Sequence, residues 1–287
     1  MRNTSGKARV ILTVILATIL FSFFRRLDAF FSLMNTLADR GWSLLPIILT
    51  SVPLRMVSSG FAVLWVLPVC LGYKKRRKLF AGYLRIDRKI VTLGVLSFGI
   101  FGGLATAISL GMGIFRGDLS AVFAFPDLRP DPDTVGWGYF VLALVPGIWE
   151  ELAFRGLIQS KVRTVFSTPA SILFSSLFFG LFHFTNLLNQ APSLAFSGVI
   201  MSFLFGLGWG YMTVKARSVV PAMISHYLVD SMGQIFLSVE NSDPALASGF
   251  FMLLTLAFPI GNILLAKVLY RSEIVDMHAS RKLEYSA

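Results

Sequence analysis

Residues 136–159, GWGYFVLALVPGIWEELAFRGLIQ, combine the length of a transmembrane helix with three ionisable side chains in the second half of the segment. A helix needs about 20 mostly apolar residues to cross a bilayer. Charged side chains at that depth are costly, and they persist mainly where they pair or carry a function. The pattern Glu150-Glu151-x-x-x-Arg155 therefore marks this segment both as a membrane span and as a candidate site.

The composition of the whole chain is typical of an integral membrane protein. Hydrophobic residues make up 55% of the 287 residues and charged residues 14%, and the mean hydropathy is +0.72. A soluble domain carries about 25% charged residues. The net charge of +11 does not indicate a nucleic-acid partner, because the basic residues lie in short runs between apolar segments. The single cysteine, Cys70, excludes an internal disulfide.

Eight apolar segments are long enough to be membrane spans. They cover residues 10–24, 44–72, 90–115, 136–159, 169–190, 193–214, 219–239 and 247–270. The loop 73–89 holds eight basic residues against one acid, Asp87, so the positive-inside rule places it in the cytoplasm. We predict an all-α integral membrane protein, a bundle of about eight transmembrane helices with both termini cytoplasmic. In a prokaryotic host its location would be the cytoplasmic membrane.

The chain divides into three parts on this interpretation. Residues 1–135 hold the first three transmembrane helices and an external loop. Residues 136–240 hold helices 4–7 and every candidate site residue. Residues 241–287 form the last transmembrane helix and a cytoplasmic tail. We find no internal repeat and no separate soluble domain.

The three charges of the central segment have two interpretations. In an α-helix, Glu151 and Arg155 lie four residues apart on one face, in the favourable order for an ion pair. That pair leaves Glu150, about 100° further round the helix, free to face elsewhere. An unpaired carboxylate in an apolar site suits a general base. Alternatively, all three charges form a structural clamp within the bundle.

Two further spans carry histidines. One contains Phe179-x-x-x-His183 and the other His226-x-x-x-Asp230. Asp230 lies four residues from His226, on the same helix face, where it can orient the imidazole as a hydrogen-bond acceptor. Alternatively, His183, His226 and Asp230 ligate a Zn²⁺ ion that keeps one open position. Both interpretations require the spans to meet at one site.

Depth in the membrane is a check on that single site. With a rise of 1.5 Å per residue, Glu150 lies ~13 Å and His226 ~8–10 Å from the cytoplasmic ends of their spans. His183 lies ~20 Å from the cytoplasmic end if its helix starts at Pro169. A single site therefore requires either that residues 169–175 lie at the interface or that the helices are tilted.

A pattern of small residues precedes the third motif. Ser202, Gly206 and Gly210 form a small-x-x-x-small series, and Gly208 adds to it. Such a series lets two membrane helices approach closely. We interpret it as a packing surface between spans.

The three motifs resemble those of the CPBP family, which comprises CAAX proteases and bacteriocin-processing enzymes and is also called the type II CAAX prenyl endopeptidase family. The likeness covers residues 136–232. The family's motifs E-E-x-x-x-R, F-x-x-x-H and H-x-x-x-N/D are matched in order by Glu150, Glu151 and Arg155, by Phe179 and His183, and by His226 and Asp230. On this likeness, residues 136–240 form a CPBP-like catalytic core.

The resemblance implies an intramembrane endopeptidase. Glu150 and His183 would activate the attacking water, while His226 and Asp230 would stabilise the oxyanion or bind a metal such as Zn²⁺. The substrate would be a peptide or a lipid-anchored protein, in contact with membrane lipids. The third motif ends in Asp230, where eukaryotic-type prenyl proteases tend to have Asn, and this additional carboxylate favours the metal interpretation.

Two other functions compete with the protease. A proton-coupled transporter would use the same Glu, His and Asp side chains as relay groups, but it predicts inverted repeats that the sequence lacks. A non-catalytic membrane scaffold or immunity protein would not need every motif position to be filled.

Overall fold

The part of the chain that the structure describes is helical and contains no β-strand. The computed structural model describes residues 4–27, 44–74, 76–117, 138–188, 191–237 and 244–271. In chain order the helices are α1 (Thr4–Arg25), α2 (Leu44–Phe61, continued by Ala62–Val66 and Leu67–Cys70), α3 (Arg76–Tyr83), α4 (Arg88–Arg116), α5 (Gly138–Leu142, Pro146–Glu150, Leu152–Ile158 and Gln159–Arg163), α6 (Thr168–Phe182, continued by His183–Leu188), α7 (Pro192–Ala216), α8 (Val220–Leu237) and α9 (Pro244–Leu269).

The predicted all-α membrane fold is confirmed. Eight of the helices coincide with the eight predicted spans, and the short α3 lies within the basic loop. Among the described residues, six helices are long and apolar enough to cross a membrane: Ser5–Arg25, Val52–Cys70, Arg88–Phe115, Thr168–Leu188, Pro192–Ala216 and Met252–Leu269. The remaining two, α5 and α8, are those whose apolar character is interrupted by Glu150, Glu151, Arg155, His226 and Asp230. The protein is therefore multi-pass, while the count of eight spans and the cytoplasmic termini stay predictions.

Helix α5 departs from the regular α-helix expected over residues 136–159. Two π-helical segments, Pro146–Glu150 and Leu152–Ile158, surround the Glu-Glu motif. Pro146 has no amide proton to donate to the carbonyl of Leu142, so the α-helical ladder is interrupted there. π-Helical turns are rare and often occur at functional sites.

The start of α8 is tied to the basic loop by hydrogen bonds around Ser218. The Val219 amide donates to the carbonyl oxygen of Tyr83 at 2.9 Å. Ser218 Oγ donates to the Arg85 carbonyl at 2.7 Å and accepts from the Val220 amide at 3.2 Å. These bonds set where α8 begins relative to α4, and hence where His226 lies two turns later.

The core contains two aromatic clusters, which meet where the Phe179 ring packs against the Trp209 ring. Helix α7 packs against α6, α8 and α9, while α5 packs against α1, α6 and α8. One cluster joins α4, α7 and α9 through Phe101, Phe205, Trp209 and Phe258, and the other joins α1, α5 and α6 through Phe21, Phe154, Phe179 and Phe182. Arg155 of α5 and His226 of α8 both lie against Phe179 and Trp209, where the two clusters meet.

Single-cysteine labelling tests the predicted topology. In a Cys70→Ser background, we expect Ser280→Cys, in the predicted cytoplasmic tail, to react with a membrane-impermeant thiol reagent only after cells are permeabilised. Asp131→Cys, in the predicted external loop, should react in intact cells because the two positions lie on opposite sides of the membrane. Labelling of Ser280→Cys in intact cells would contradict a cytoplasmic C-terminus.

Candidate active site

The carboxylate of Glu151 lies at the buried end of the site, and Glu151 is 0% exposed. Its Oε2 lies 3.3 Å from Arg155 Nε, so the predicted pair within α5 is present. Its Oε1 lies 2.8 Å from His226 Nδ1 on α8. One buried carboxylate therefore joins the first and third motifs, a role that the sequence pattern alone does not reveal.

Arg155 is packed between aromatic rings. Its guanidinium carbon lies 4.0 Å from the centroid of the Phe179 ring and 5.6 Å from that of the Trp209 ring, which is favourable for a cation. A Cβ added at Gly206 would lie 3.0 Å from Arg155 Nη2. Gly206 thus makes room for the guanidinium, so the small-residue series on α7 serves the site as well as helix packing.

His226 lies between two carboxylates and one indole ring. Its Nδ1 faces Glu151, and its Nε2 lies 3.4 Å from Asp230 Oδ2. Carboxylates only accept hydrogen bonds, so both contacts are satisfied together when His226 is an imidazolium. The Trp209 ring stacks on this imidazole, with centroids 4.3 Å apart and 22° between the planes.

His183 presents one open nitrogen. Its Nδ1 lies 2.8 Å from the carbonyl oxygen of Phe179, and because a carbonyl only accepts, this nitrogen carries the proton. In the neutral ring, Nε2 therefore keeps its lone pair. The Phe179 ring contacts both histidines, with centroid distances of 4.8 Å to His183 and 5.9 Å to His226.

Glu150 is buried and paired, which corrects the expectation that it is unpaired. Its Oε1 accepts from Arg25 Nε at 3.2 Å, across 125 residues of sequence. Its Oε2 has no hydrogen-bond partner among the described residues. Glu150 also interacts electrostatically with His183 and His226. The expectation was wrong because Arg25 lies at the end of the first apolar run, 125 residues away, where the sequence pattern does not connect it with Glu150.

The structure brings the six predicted residues together in one site: Glu150, Glu151, Arg155, His183, His226 and Asp230.

The predicted difference in depth between His183 and Glu150 is accounted for by an offset of α6 along the axis of α5. Ser175 Oγ donates to the carbonyl of Phe154 at 2.8 Å, so the first two turns of α6 lie beside the second half of α5. Starting from this contact, His183 lies further along α6 and Glu150 lies further back along α5. Because the two helices are antiparallel, both residues lie on the same side of the contact, and they interact electrostatically.

The positive and negative side chains of the site are equal in number, and one end of the site is more exposed to solvent than the other. With His226 as an imidazolium, three carboxylates (Glu150, Glu151, Asp230) face two guanidiniums (Arg25, Arg155) and this one cation, and the formal charges add to zero. The Asp230 side chain is 37% exposed, whereas those of Glu151 and Arg155 are 0% exposed. The site is thus closed at Glu151 and open at Asp230 and the half-buried His183.

The geometry does not present the tentative zinc ligands His183, His226 and Asp230 as a set. Within the described ranges, no three or more His, Cys, Asp and Glu side chains are arranged to hold a metal ion. Both nitrogens of His226 face carboxylates in this arrangement, and one of these carboxylates is that of Asp230. Zinc binding stays a prediction.

Comparison with protein families agrees with the motifs. Residues 132–232 match the family model described as Type II CAAX prenyl endopeptidase Rce1-like. We refer to residues 132–232, which are similar to this family, as the Rce1-like domain. This domain contains all six predicted site residues, and the CPBP resemblance inferred from the sequence is confirmed. The match supports a CAAX-protease-like intramembrane endopeptidase. Comparisons with curated proteins and with solved structures gave no significant match.

The Rce1-like domain does not contain Arg25, which lies on α1, so the pair between Arg25 and Glu150 can be tested separately. We expect Arg25→Met to lower the free energy of unfolding by about 3 kcal/mol, because it strands a buried carboxylate. The double variant Arg25→Met/Glu150→Gln should recover most of that loss, since a neutral amide tolerates burial better. Thermal unfolding in detergent measures both.

The control is Arg9→Met, which removes an exposed charge from the same helix and should unfold like wild type. If Arg25→Met were as stable as Arg9→Met, the pair would contribute nothing. If the double variant were less stable than Arg25→Met alone, Glu150 would not be the group that Arg25 stabilises.

Proposed function

We propose that the Rce1-like site hydrolyses peptide bonds with a water molecule activated by Glu150 and His183. The supporting observation is that two interacting side chains each keep an acceptor without a partner among the described residues: the buried Glu150 Oε2 and the His183 Nε2. A water that donates one hydrogen to each acceptor keeps a lone pair for attack on a carbonyl carbon. The Rce1-like match supports the same reaction class.

Each step of the hydrolysis has a named proton acceptor or donor. Glu150 takes a proton from the water as the oxygen bonds to the carbonyl carbon, which is general-base catalysis. Arg25 holds Glu150 as a carboxylate beforehand, so the base is ready to accept. When the carbon–nitrogen bond breaks, the proton passes from Glu150 to the departing amine, and the products are a carboxylic acid and an amine.

The oxyanion that forms during attack would be stabilised by His226. Its Nε2 faces Asp230 at 3.4 Å, which is long for a hydrogen bond between N–H and oxygen. A carbonyl oxygen entering from the exposed side can therefore compete for this proton. Stabilising a developing charge with a preorganised cation in a dry site is usually a large part of the catalytic effect.

The substrate we propose is a peptide segment of a membrane-associated protein, in particular the C-terminal tail of a lipid-anchored one. A prenylated tail partitions into the bilayer, where the site lies among membrane-spanning helices. In a prokaryotic host the enzyme would act in the cytoplasmic membrane. The open edge at Asp230 and His183 is where such a segment would enter.

Cleavage of a quenched fluorescent peptide in proteoliposomes tests the reaction. Glu150→Gln keeps an oxygen for Arg25 but cannot take a proton, so we expect cleavage to fall by about 10²–10⁴-fold in protein that is still folded at the assay temperature. His183→Ala should lose activity similarly. His278→Ala removes the third histidine, which lies outside the described residues, and serves as the control. An active Glu150→Gln variant would overturn the proposed base.

The peptide should be tested with and without a prenyl group on its cysteine. Faster cleavage of the prenylated form by wild type would support the lipid-anchored substrate. Equal rates for the two forms would restrict the proposal to peptides in general, and cleavage of neither form would contradict an endopeptidase of this type.

Elemental analysis of the purified protein tests the metal interpretation. We expect less than stoichiometric zinc in active wild-type protein, because the two nitrogens of His226 face carboxylates. The variant His226→Ala should have the same metal content. One zinc per chain in wild type, lost in His226→Ala, would instead establish a metalloenzyme and would require His226 to rearrange.

A further inference from the structure

Four buried polar side chains form a directed chain of hydrogen bonds that ends at the ring stacked on His226. Trp209 Nε1 donates to Ser225 Oγ at 2.9 Å, the hydroxyls of Ser225 and Ser97 lie 2.7 Å apart, and Ser97 Oγ donates to Asn262 Oδ1 at 2.6 Å. Trp209 is 2% exposed and the other three are 0% exposed.

The direction of this chain follows from the chemistry of its ends. The Asn262 oxygen only accepts, so Ser97 gives its one proton to Asn262 and must accept from Ser225. Ser225 then has no proton left for Trp209 and accepts from the indole N–H, which can only donate. Each hydroxyl thus donates once and accepts at least once, and loss of any member leaves a buried polar group without its partner.

Two glycines let the helices approach closely enough for the chain to close. A Cβ added at Gly94, one turn before Ser97 on α4, would lie 2.8 Å from Ile224 Cβ on α8. A Cβ added at Gly208, beside Trp209 on α7, would lie 3.0 Å from Pro259 Cα and 3.2 Å from Asn262 Cβ on α9. The chain therefore depends on two close helix contacts and joins four helices.

Trp209 connects this chain to the chemistry of the site. Its ring covers one face of the His226 imidazole and also lies beside the Arg155 guanidinium. An indole fixed by its N–H cannot rotate, so it holds the plane of the imidazole that Glu151 and Asp230 contact at its edges. The rotation of His226 is thus restricted by groups on several helices.

We propose that Ser97 and Asn262, which lie outside the Rce1-like domain, are positioning residues for His226 and act through Ser225 and Trp209. This inference rests on the proposed function, in which His226 stabilises the oxyanion. It assigns a role in the site to α4 and α9, whose sequences carry none of the three motifs.

Kinetics of the full-length protein in proteoliposomes test the proposal. We expect Ser97→Ala, Ser225→Ala, Asn262→Leu and Trp209→Phe each to lower kcat by about five- to tenfold with KM unchanged, because they loosen a group that acts in the transition state. Ser225→Ala/Trp209→Phe should be no slower than the slower single variant, since both changes remove the same hydrogen bond. Thr255→Val on α9 and Ser109→Ala on α4 are controls that remove buried hydroxyls outside the chain, and both should match wild type.

A second measurement does not depend on activity. The chain has three histidines, so the side-chain NMR resonances of ¹⁵N-histidine-labelled protein can be assigned with His183→Ala and His278→Ala. The resonance of the His226 N–H that Glu151 accepts should shift in Ser97→Ala and Trp209→Phe, and stay unchanged in Thr255→Val.

The outcomes separate the two proposals. An unchanged His226 resonance in Ser97→Ala, or multiplicative losses of kcat in the double variant, would overturn the positioning role. If Asn262→Leu does not fold, Ser97→Ala decides, because it removes only one oxygen atom. Wild-type protein that cleaves no peptide would contradict the proposed function, while the NMR comparison would still decide whether the chain positions His226.

Discussion

The arrangement of the site depends on one buried carboxylate, that of Glu151. In the apolar interior of a helix bundle, a charge is tolerated only where opposite charges or hydrogen-bond donors surround it. Glu151 receives Arg155 from its own helix and His226 from α8. These two contacts fix the rotation of α5 relative to α8, and they also determine which nitrogen of His226 carries a proton toward α5. Stability and catalytic geometry are therefore consequences of the same pairings.

The interactions that could be predicted from the sequence are the local ones. Glu151 with Arg155, and His226 with Asp230, are each four residues apart, and a helix brings such residues onto one face whatever the tertiary structure. The eight apolar segments were predictable for a similar reason, since span length follows from bilayer thickness. What the pattern does not contain is the rotation of one helix against another, which decides the partner of Glu150.

The pairing of Arg25 with Glu150 shows this limit. A basic residue at the end of an apolar run is common in membrane proteins, because it anchors the span at the interface. Nothing local distinguishes Arg25 from such an anchor, and 125 residues separate it from Glu150. The π-helical turns of α5 were missed for a related reason. Pro146 signals an interruption of the helix, but the form that the backbone then takes depends on packing around it.

The helices outside the Rce1-like domain supply a charge to the site as well as packing contacts. The charged site residues within residues 132–232 are three carboxylates, one guanidinium and the His226 imidazolium, which leaves one negative charge in excess. Arg25 on α1 removes that excess through its contact with Glu150. An isolated charge in hydrocarbon would otherwise be neutralised by taking up a proton, and a protonated Glu150 could not act as a base. The chemistry proposed for the motif residues therefore requires α1, because the charge that keeps Glu150 ionised is supplied from there.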